Sequence, residues 1–117
     1  MDFQKAIEAH VGWKMKLSSY IAKPDHSLNA ASVSLELNCD LGRWLASESQ
    51  KHAANPEFTK LAADHARFHA AAGNIIRKAD SGQRVTDEVA LGSKSEYAAA
   101  SDAVVRTLMK FKIAMVA

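Results

Sequence analysis

The sequence predicts an all-α protein, an antiparallel four-helix bundle, and three observations support this fold class. Alanine, the strongest helix former, is its commonest residue. Only two prolines and five glycines are present to interrupt helices. Apolar residues recur every three or four positions over long segments that short connectors separate. The length predicts a single domain over residues 1–117, large enough for a core without disulfides.

The first predicted helix covers residues 3–22. Its apolar side carries His10 near the middle. Pro24 ends the helix, because the residue before a proline disfavours helical geometry. Its apolar residues cover more than one narrow seam, which predicts self-association: they are Phe3, Ile7, Trp13, Leu17, Tyr20 and Ile21.

The second segment is ambiguous. Residues 25–33 have the composition of a connector, and residues 33–37 alternate apolar and polar side chains as a strand would. No other run in the chain could pair with such a strand, so we predict an extended approach followed by a helix. The predicted N-cap is Ser34 or Asn38, which places Cys39 near the first turn. The predicted apolar stripe is Leu37, Leu41, Trp44 and Leu45.

The third helix has the clearest start signal, since Asn55 is a good N-cap and Pro56 a good first residue. It ends near Asp80, and its predicted core side is Phe58, Leu61, His65, Phe68, His69, Ala72, Ile75, Ile76 and Ala79. The last helix begins near Thr86 and is predicted to break near Gly92. Its predicted seam is Tyr97, Ser101, Val104, Leu108, Phe111 and Met115.

The positions of histidine and cysteine predict a metal site. His65 and His69 lie four residues apart on one helical face, so both rings can reach one ion. His10 lies on the core side of another helix, and Cys39 lies near the start of a third. Three imidazoles and one thiolate are a closed tetrahedral set that suits Zn²⁺. Because this set leaves no position for a water molecule, it predicts a structural or regulatory site.

Each of these residues also has a simpler interpretation. A single cysteine is commonly a small buried hydrophobe, a single core histidine is commonly hydrogen-bonded, and histidine pairs also arise by chance. The metal hypothesis is favoured because all four residues fall on predicted interior faces, where unpaired imidazoles would cost free energy. His26 and His52 fall in predicted connectors and are expected to face solvent.

Other classes of function have little support. The 15 Lys+Arg and 13 Asp+Glu give a net charge of +2 without a basic cluster, so we expect no nucleic-acid partner. No apolar run approaches the roughly 20 residues of a membrane span, and the single cysteine and absence of a leader segment predict a cytoplasmic protein. The sequence has no motif for haem, di-iron or phosphate binding and no nucleophile paired with a base, so we do not expect an enzyme.

Three stretches resemble a known family. They are HVGWK from His10, CDLGRWL from Cys39 and HARFH from His65. In this order and spacing they resemble the signature of the chemoreceptor zinc-binding domain family, over nearly the whole chain. The resemblance implies that His10, Cys39, His65 and His69 are the zinc ligands, in a four-helix bundle that forms a symmetric homodimer.

The resemblance also implies a function. Members of this family are bacterial and cytoplasmic, usually attached to chemoreceptors or to cyclases that make cyclic diguanylate, and they report zinc or oxidants such as hypochlorous acid. We therefore expect a sensory domain in which zinc occupancy or oxidation of Cys39 controls helix packing and signalling. The alternative is a protein-interaction module in which zinc is only a structural staple. Whether the domain acts alone or as a piece of a longer protein stays open at this point.

Overall fold

The protein is an all-α helical bundle, as the sequence predicts. The computed structural model describes residues 2–116, apart from the side chains of Glu36, Ala114, Met115 and Val116. In chain order the helices are α1 (Phe3–Ala22), α2 (Ala30–Ser34), a 3-10 helix (Glu36–Asn38), α3 (Asp40–Glu48), α4 (Pro56–Asp80), α5 (Asp87–Leu91) and α6 (Glu96–Val116). Within residues 2–116 there is no strand, and no helix is both long and apolar enough to cross a lipid bilayer. The predicted core position of Met115 lies outside the described side chains.

Three long helices, α1, α4 and α6, surround the core. Lys112 Nζ donates a hydrogen bond of 2.6 Å to Gln4 Oε1, which joins the end of α6 to the start of α1. Tyr20 Oη donates one of 2.5 Å to Asp80 Oδ1, which joins the last turns of α1 and α4. Hence α1 and α4 run in the same direction, and α6 runs opposite to both.

The fourth member of the bundle is built from α2, the 3-10 helix and α3 in succession. It starts beside the C-terminal half of α4, where Arg77 Nη2 donates to Ser34 Oγ over 3.3 Å. It ends beside the starts of α1 and α4, where Trp44 packs against Phe3 and Phe58 with ring centroids 5.4 and 5.9 Å apart. This member therefore runs antiparallel to α1 and α4 and is broken in its middle.

The prediction for residues 25–33 is wrong at its C-terminal end. Residues 30–34 are helical, because the side chain of Asn29 accepts a hydrogen bond from the backbone N–H of Ser32 and caps α2. The alternation over residues 33–37 belongs to the end of α2 and the 3-10 helix. Sequence periodicity cannot identify segments of three to five residues, since they span less than two helical turns.

The prediction for the start of the next helix is also wrong in detail. Its N-cap is Cys39, with extended backbone angles, rather than Ser34 or Asn38. The Asn38 amide instead donates hydrogen bonds to the carbonyl and hydroxyl oxygens of Ser32, which closes the turn between α2 and α3. Leu37 is 56% exposed and is not part of the core stripe, whereas Leu41 is buried.

The other boundaries agree with the prediction. α1 and α4 have the expected limits, and the Asn55 side chain caps α4 by accepting from the backbone N–H of Glu57 over 3.0 Å. The last segment is interrupted after Leu91, where Gly92 ends α5 before α6 begins. An added Cβ at Gly92 would lie 2.2 Å from the carbonyl oxygen of Glu88, so the close approach of the backbone explains this glycine.

Aromatic side chains close one end of the bundle. We define the aromatic base as Phe3, Trp44, Phe58 and Phe111, whose ring centroids lie 5.4 to 6.5 Å from their neighbours. His52 stacks on Phe58 at 4.9 Å and is half-buried, so the expectation that it faces solvent is wrong. His26 does face solvent. The aromatic base joins α3 to the first turn of α1 and to the C-terminal half of α6.

The apolar residues of α1 that predicted self-association lie mainly inside this chain. Phe3, Ile7, Leu17 and Tyr20 belong to its own core, while Trp13 and Ile21 are half-buried against that core. The large apolar side chains of α1 that remain exposed are Val11 and Met15. Self-association stays a prediction that rests on the family resemblance.

Candidate metal centre

The structure brings the four predicted ligands together. His10 lies in the middle of α1, Cys39 at the start of α3, and His65 and His69 on one face of α4. All three histidines are buried, with at most 3% of their surface exposed, and Cys39 is half-buried. Their ligand atoms lie within 4.8 Å of one another. Three chain segments thus contribute to one cluster in the core.

The spacing of the donor atoms fits a tetrahedral ion. Cys39 Sγ lies 3.5 Å from His65 Nε2 and 3.8 Å from His10 Nε2. The Nε2 atoms of His65 and His69 are 3.0 Å apart. Zinc bond lengths in a tetrahedron separate two nitrogens by about 3.3 Å and a sulfur and a nitrogen by about 3.6 Å. The residues present therefore fit Zn²⁺ in donor type, in number and in spacing.

Backbone carbonyls fix the orientation of two of the rings. His10 Nδ1 donates to the carbonyl oxygen of Ala6 over 2.7 Å, within α1. His69 Nδ1 donates to the carbonyl oxygen of Val33 over 2.8 Å, which links α4 to α2. Because a carbonyl only accepts, each of these rings in its neutral form carries its proton on Nδ1 and presents the lone pair of Nε2 to the centre of the cluster.

Burial keeps the imidazoles of His10 and His65 neutral. It lowers the pKa of His10, outweighing the hydrogen bond to Ala6, which acts in the opposite direction. Burial, together with the neighbouring His69 and His10, lowers the pKa of His65 to about 3. Both rings are therefore unprotonated near pH 7, the form that binds a metal ion.

The surroundings of Cys39 favour its thiolate. Burial opposes ionisation, but the imidazole of His69 and the backbone N–H groups of Gly42 and Leu41 outweigh it, so the pKa of the thiol lies below its ordinary value. The sulfur makes no capping hydrogen bond of normal geometry, and the N–H groups of the first turn act on it as a positive helix end. A thiolate is the form of cysteine that binds zinc.

A cavity of about 530 Å³ leads to the cluster between α1 and the broken member of the bundle. Three residues of the cluster line it, Cys39, His10 and His69, and its other polar lining residues include Lys5, Asp2 and Asn38. On another side the rings contact Phe68, which is fully buried. Cys39, which is half-buried, therefore lines this cavity as well as the cluster.

Two contributors to this site are not identified by sequence reasoning. The Val33 carbonyl leaves no side-chain signature, because every residue has one. Gly73 in the middle of α4 does leave a signal, since glycine weakens a helix interior unless another group approaches closely. Its neighbour in the structure is α2.

Comparison with known proteins agrees with the geometry. The family model described as chemoreceptor zinc-binding domain matches residues 10–76, which is more than half of the chain and includes all four residues of the cluster. No curated protein and no solved structure matches the chain. α5 and α6 lie outside the matched residues, but their buried side chains share the core with those of α1 and α4. The chain belongs to the chemoreceptor zinc-binding domain family.

Proposed function

We propose that this protein is a zinc-binding regulatory domain in which His10, Cys39, His65 and His69 hold one Zn²⁺. The observation that carries this proposal is the convergence of three Nε2 atoms and one Sγ within 4.8 Å in the core. Zinc, when bound, would keep Cys39 as a thiolate and join α1, α3 and α4 at one point. Since four side chains complete a tetrahedron, we propose binding rather than catalysis.

Cys39 is the ligand through which the site would respond to its surroundings. It lies at the break between the 3-10 helix and α3, so its attachment to the cluster holds the start of α3 against α1 and α4. Releasing that attachment frees α3 at one end, while the aromatic base still holds Trp44 at the other. Zinc occupancy or the chemical state of Cys39 would thereby control how α3 packs.

Oxidation is one way to release Cys39. Its thiolate reacts with hypochlorous acid to give a sulfenic acid and a chloride ion, so that sulfur loses two electrons and chlorine gains them. The product is a weaker zinc ligand. The lowering of the pKa of the Cys39 thiol and the cavity that Cys39 lines support this part of the proposal.

The output is proposed from family membership. We propose a cytoplasmic role in chemotaxis or cyclic diguanylate signalling, with a homodimer that transmits the change in α3 to a chemoreceptor, a cyclase or another signalling protein. The position of α3 beside the first turn of α1 and the C-terminal half of α6 supports such transmission, because a shift at Trp44 moves contacts with Phe3 and Phe111.

Metal content tests the binding proposal. Protein purified without chelators should contain one zinc per chain, and alanine at any of the four ligand positions should weaken binding in a competition titration with a chromogenic chelator. His26→Ala is the matched control, because His26 is exposed and lies outside the cluster. A chain that binds no zinc, or equal loss in the control, would refute the proposal.

A second measurement distinguishes a regulatory zinc site from one that only stabilises the fold. After zinc is removed with a chelator, circular dichroism should show a folded bundle, and hydrogen exchange should increase mainly in residues 36–48. Global unfolding on zinc removal would instead favour the alternative of a structural zinc without sensing. Hypochlorous acid should release zinc from the wild type at stoichiometric amounts, and slow or absent release would argue against redox control.

A further inference from the structure

The contact between α2 and α4 suggests a role for a residue outside the ligand set. We infer that Gly73 is a positioning residue, which lets α2 dock on α4 so that the Val33 carbonyl can orient His69. This inference rests on the proposed zinc site and names a determinant of its affinity. Gly73 lies one helical turn after His69 on the same face of α4.

The absence of a side chain at Gly73 is required by the approach of α2. A Cβ at this position would lie 1.9 Å from Ser34 Oγ, 3.1 Å from Ser34 Cβ and 3.2 Å from the carbonyl oxygen of Ala30. Two of these neighbours are not the free end of a side chain, so rotation of the hydroxyl alone does not relieve the overlap. Alanine at this position would move α2 away from α4.

Three residues of α4 at intervals of four form the surface that receives α2. His69 bonds to the Val33 carbonyl, Gly73 accommodates Ser34, and Arg77 Nη2 donates to Ser34 Oγ over 3.3 Å. Ser34 Oγ in turn donates to the carbonyl oxygen of Ala30 over 2.7 Å. The hydrogen bond to His69 is therefore one part of a continuous docking contact.

α2 depends on this contact for its position. It has five residues and buries none of them fully, and so short a helix is not stable by itself in water. Val33 immediately precedes Ser34, so a displacement of Ser34 from Gly73 displaces the Val33 carbonyl by a similar amount. His69 would then lose the acceptor that fixes its ring and its tautomer.

The expected consequence is weaker zinc binding without loss of a ligand. Removal of an outer-shell hydrogen bond to a ligating histidine typically lowers metal affinity by about 10–100-fold. We expect a reduction of this size in Gly73→Ala. Gly12→Ala is the matched control, because Gly12 also lies within a helix but has no atom near the position of an added Cβ. It should leave zinc affinity unchanged.

Two further variants test the cause. Ser34→Ala removes the atom nearest to the added methyl group, so the double variant Gly73→Ala with Ser34→Ala should recover part of the affinity lost in Gly73→Ala. Such non-additivity is expected only if the two residues are in contact. Asn29→Ala removes the N-cap of α2 without changing α4, and it should lower zinc affinity in the same direction.

The experiment measures zinc affinity by chelator competition and hydrogen exchange of residues 30–34 in the metal-free chain. The inference predicts faster exchange in Gly73→Ala, unchanged exchange in Gly12→Ala, and a loss of affinity only in the former. Wild-type affinity in a folded Gly73→Ala protein would overturn it. If Gly73→Ala does not fold, wild-type affinity in Asn29→Ala with faster exchange over residues 30–34 would overturn it. A wild type that binds no zinc would refute the proposed function, while unchanged exchange in Gly73→Ala would refute the docking itself.

Discussion

The imidazole of His10 packs against the ring of Phe68, with centroids 5.0 Å apart and planes inclined by 63°. Phe68 also contacts the ring of His69 almost edge-on, at 5.4 Å and 86°. One fully buried aromatic side chain thus borders two of the proposed zinc ligands from α1 and α4. It restricts their rotation and keeps water away from that side of the cluster.

Replacing Phe68 should affect both stability and zinc binding. Phe68→Ala should lower the free energy of unfolding of the metal-free chain by about 3–5 kcal/mol, the usual cost of emptying such a core site. Urea denaturation measures this loss, and Met15→Ala, at a position 77% exposed, serves as the control. Phe68→Leu keeps most of the volume, so it should fold and still bind zinc less tightly. Wild-type affinity in Phe68→Leu would show that the ring does not orient the ligands.

Cys39→Ser should separate metal binding from folding. The hydroxyl is a poor zinc ligand at neutral pH, so we expect zinc affinity to fall by more than the ~10–100-fold typical of an outer-shell loss. The metal-free variant should keep its helical content, because serine is a good N-cap for α3. Chelator competition and circular dichroism measure the two quantities. Equal zinc affinity in the variant and the wild type would exclude Cys39 as a ligand.

Trp44→Ala should loosen the aromatic base. Trp44 contacts Phe3, Phe58 and Phe111 while remaining half-buried, so we expect a loss of about 3 kcal/mol, the lower end of the range for large aromatic residues. Urea denaturation of the metal-free protein gives the value. Val89→Ala is the comparison, because Val89 is 76% exposed and its loss should change stability by less than about 0.5 kcal/mol.

Asn55→Ala should weaken the start of α4. The lost cap bond to the backbone N–H of Glu57 should cost about 1 kcal/mol, whereas Asn55→Asp should keep the cap and most of the stability. The midpoint of urea unfolding distinguishes the two variants. Because His65 lies more than two turns from this cap, zinc affinity should change little in either variant, and a large change would mean that the start of α4 controls the site.

The sequence by itself determined the long helices and the identity of the candidate ligands. The limits of α1 and α4 follow from local signals, namely Pro24, the cap at Asn55 and the spacing of apolar residues. His10, His65 and His69 could be placed on interior faces because helical periodicity fixes the direction of each side chain. Such signals lie within a few residues of the features that they predict.

Only the tertiary structure decided how the fourth member of the bundle, formed by α2, the 3-10 helix and α3, is broken. α2 and the 3-10 helix are too short to have a periodicity, and they hold their positions through contacts with α4, such as Ser34 at Gly73. The structure also decided that Cys39 caps α3 and that the Val33 carbonyl receives His69 Nδ1 across 36 residues. A backbone carbonyl has the same chemistry in every residue, so its role is set by packing in three dimensions.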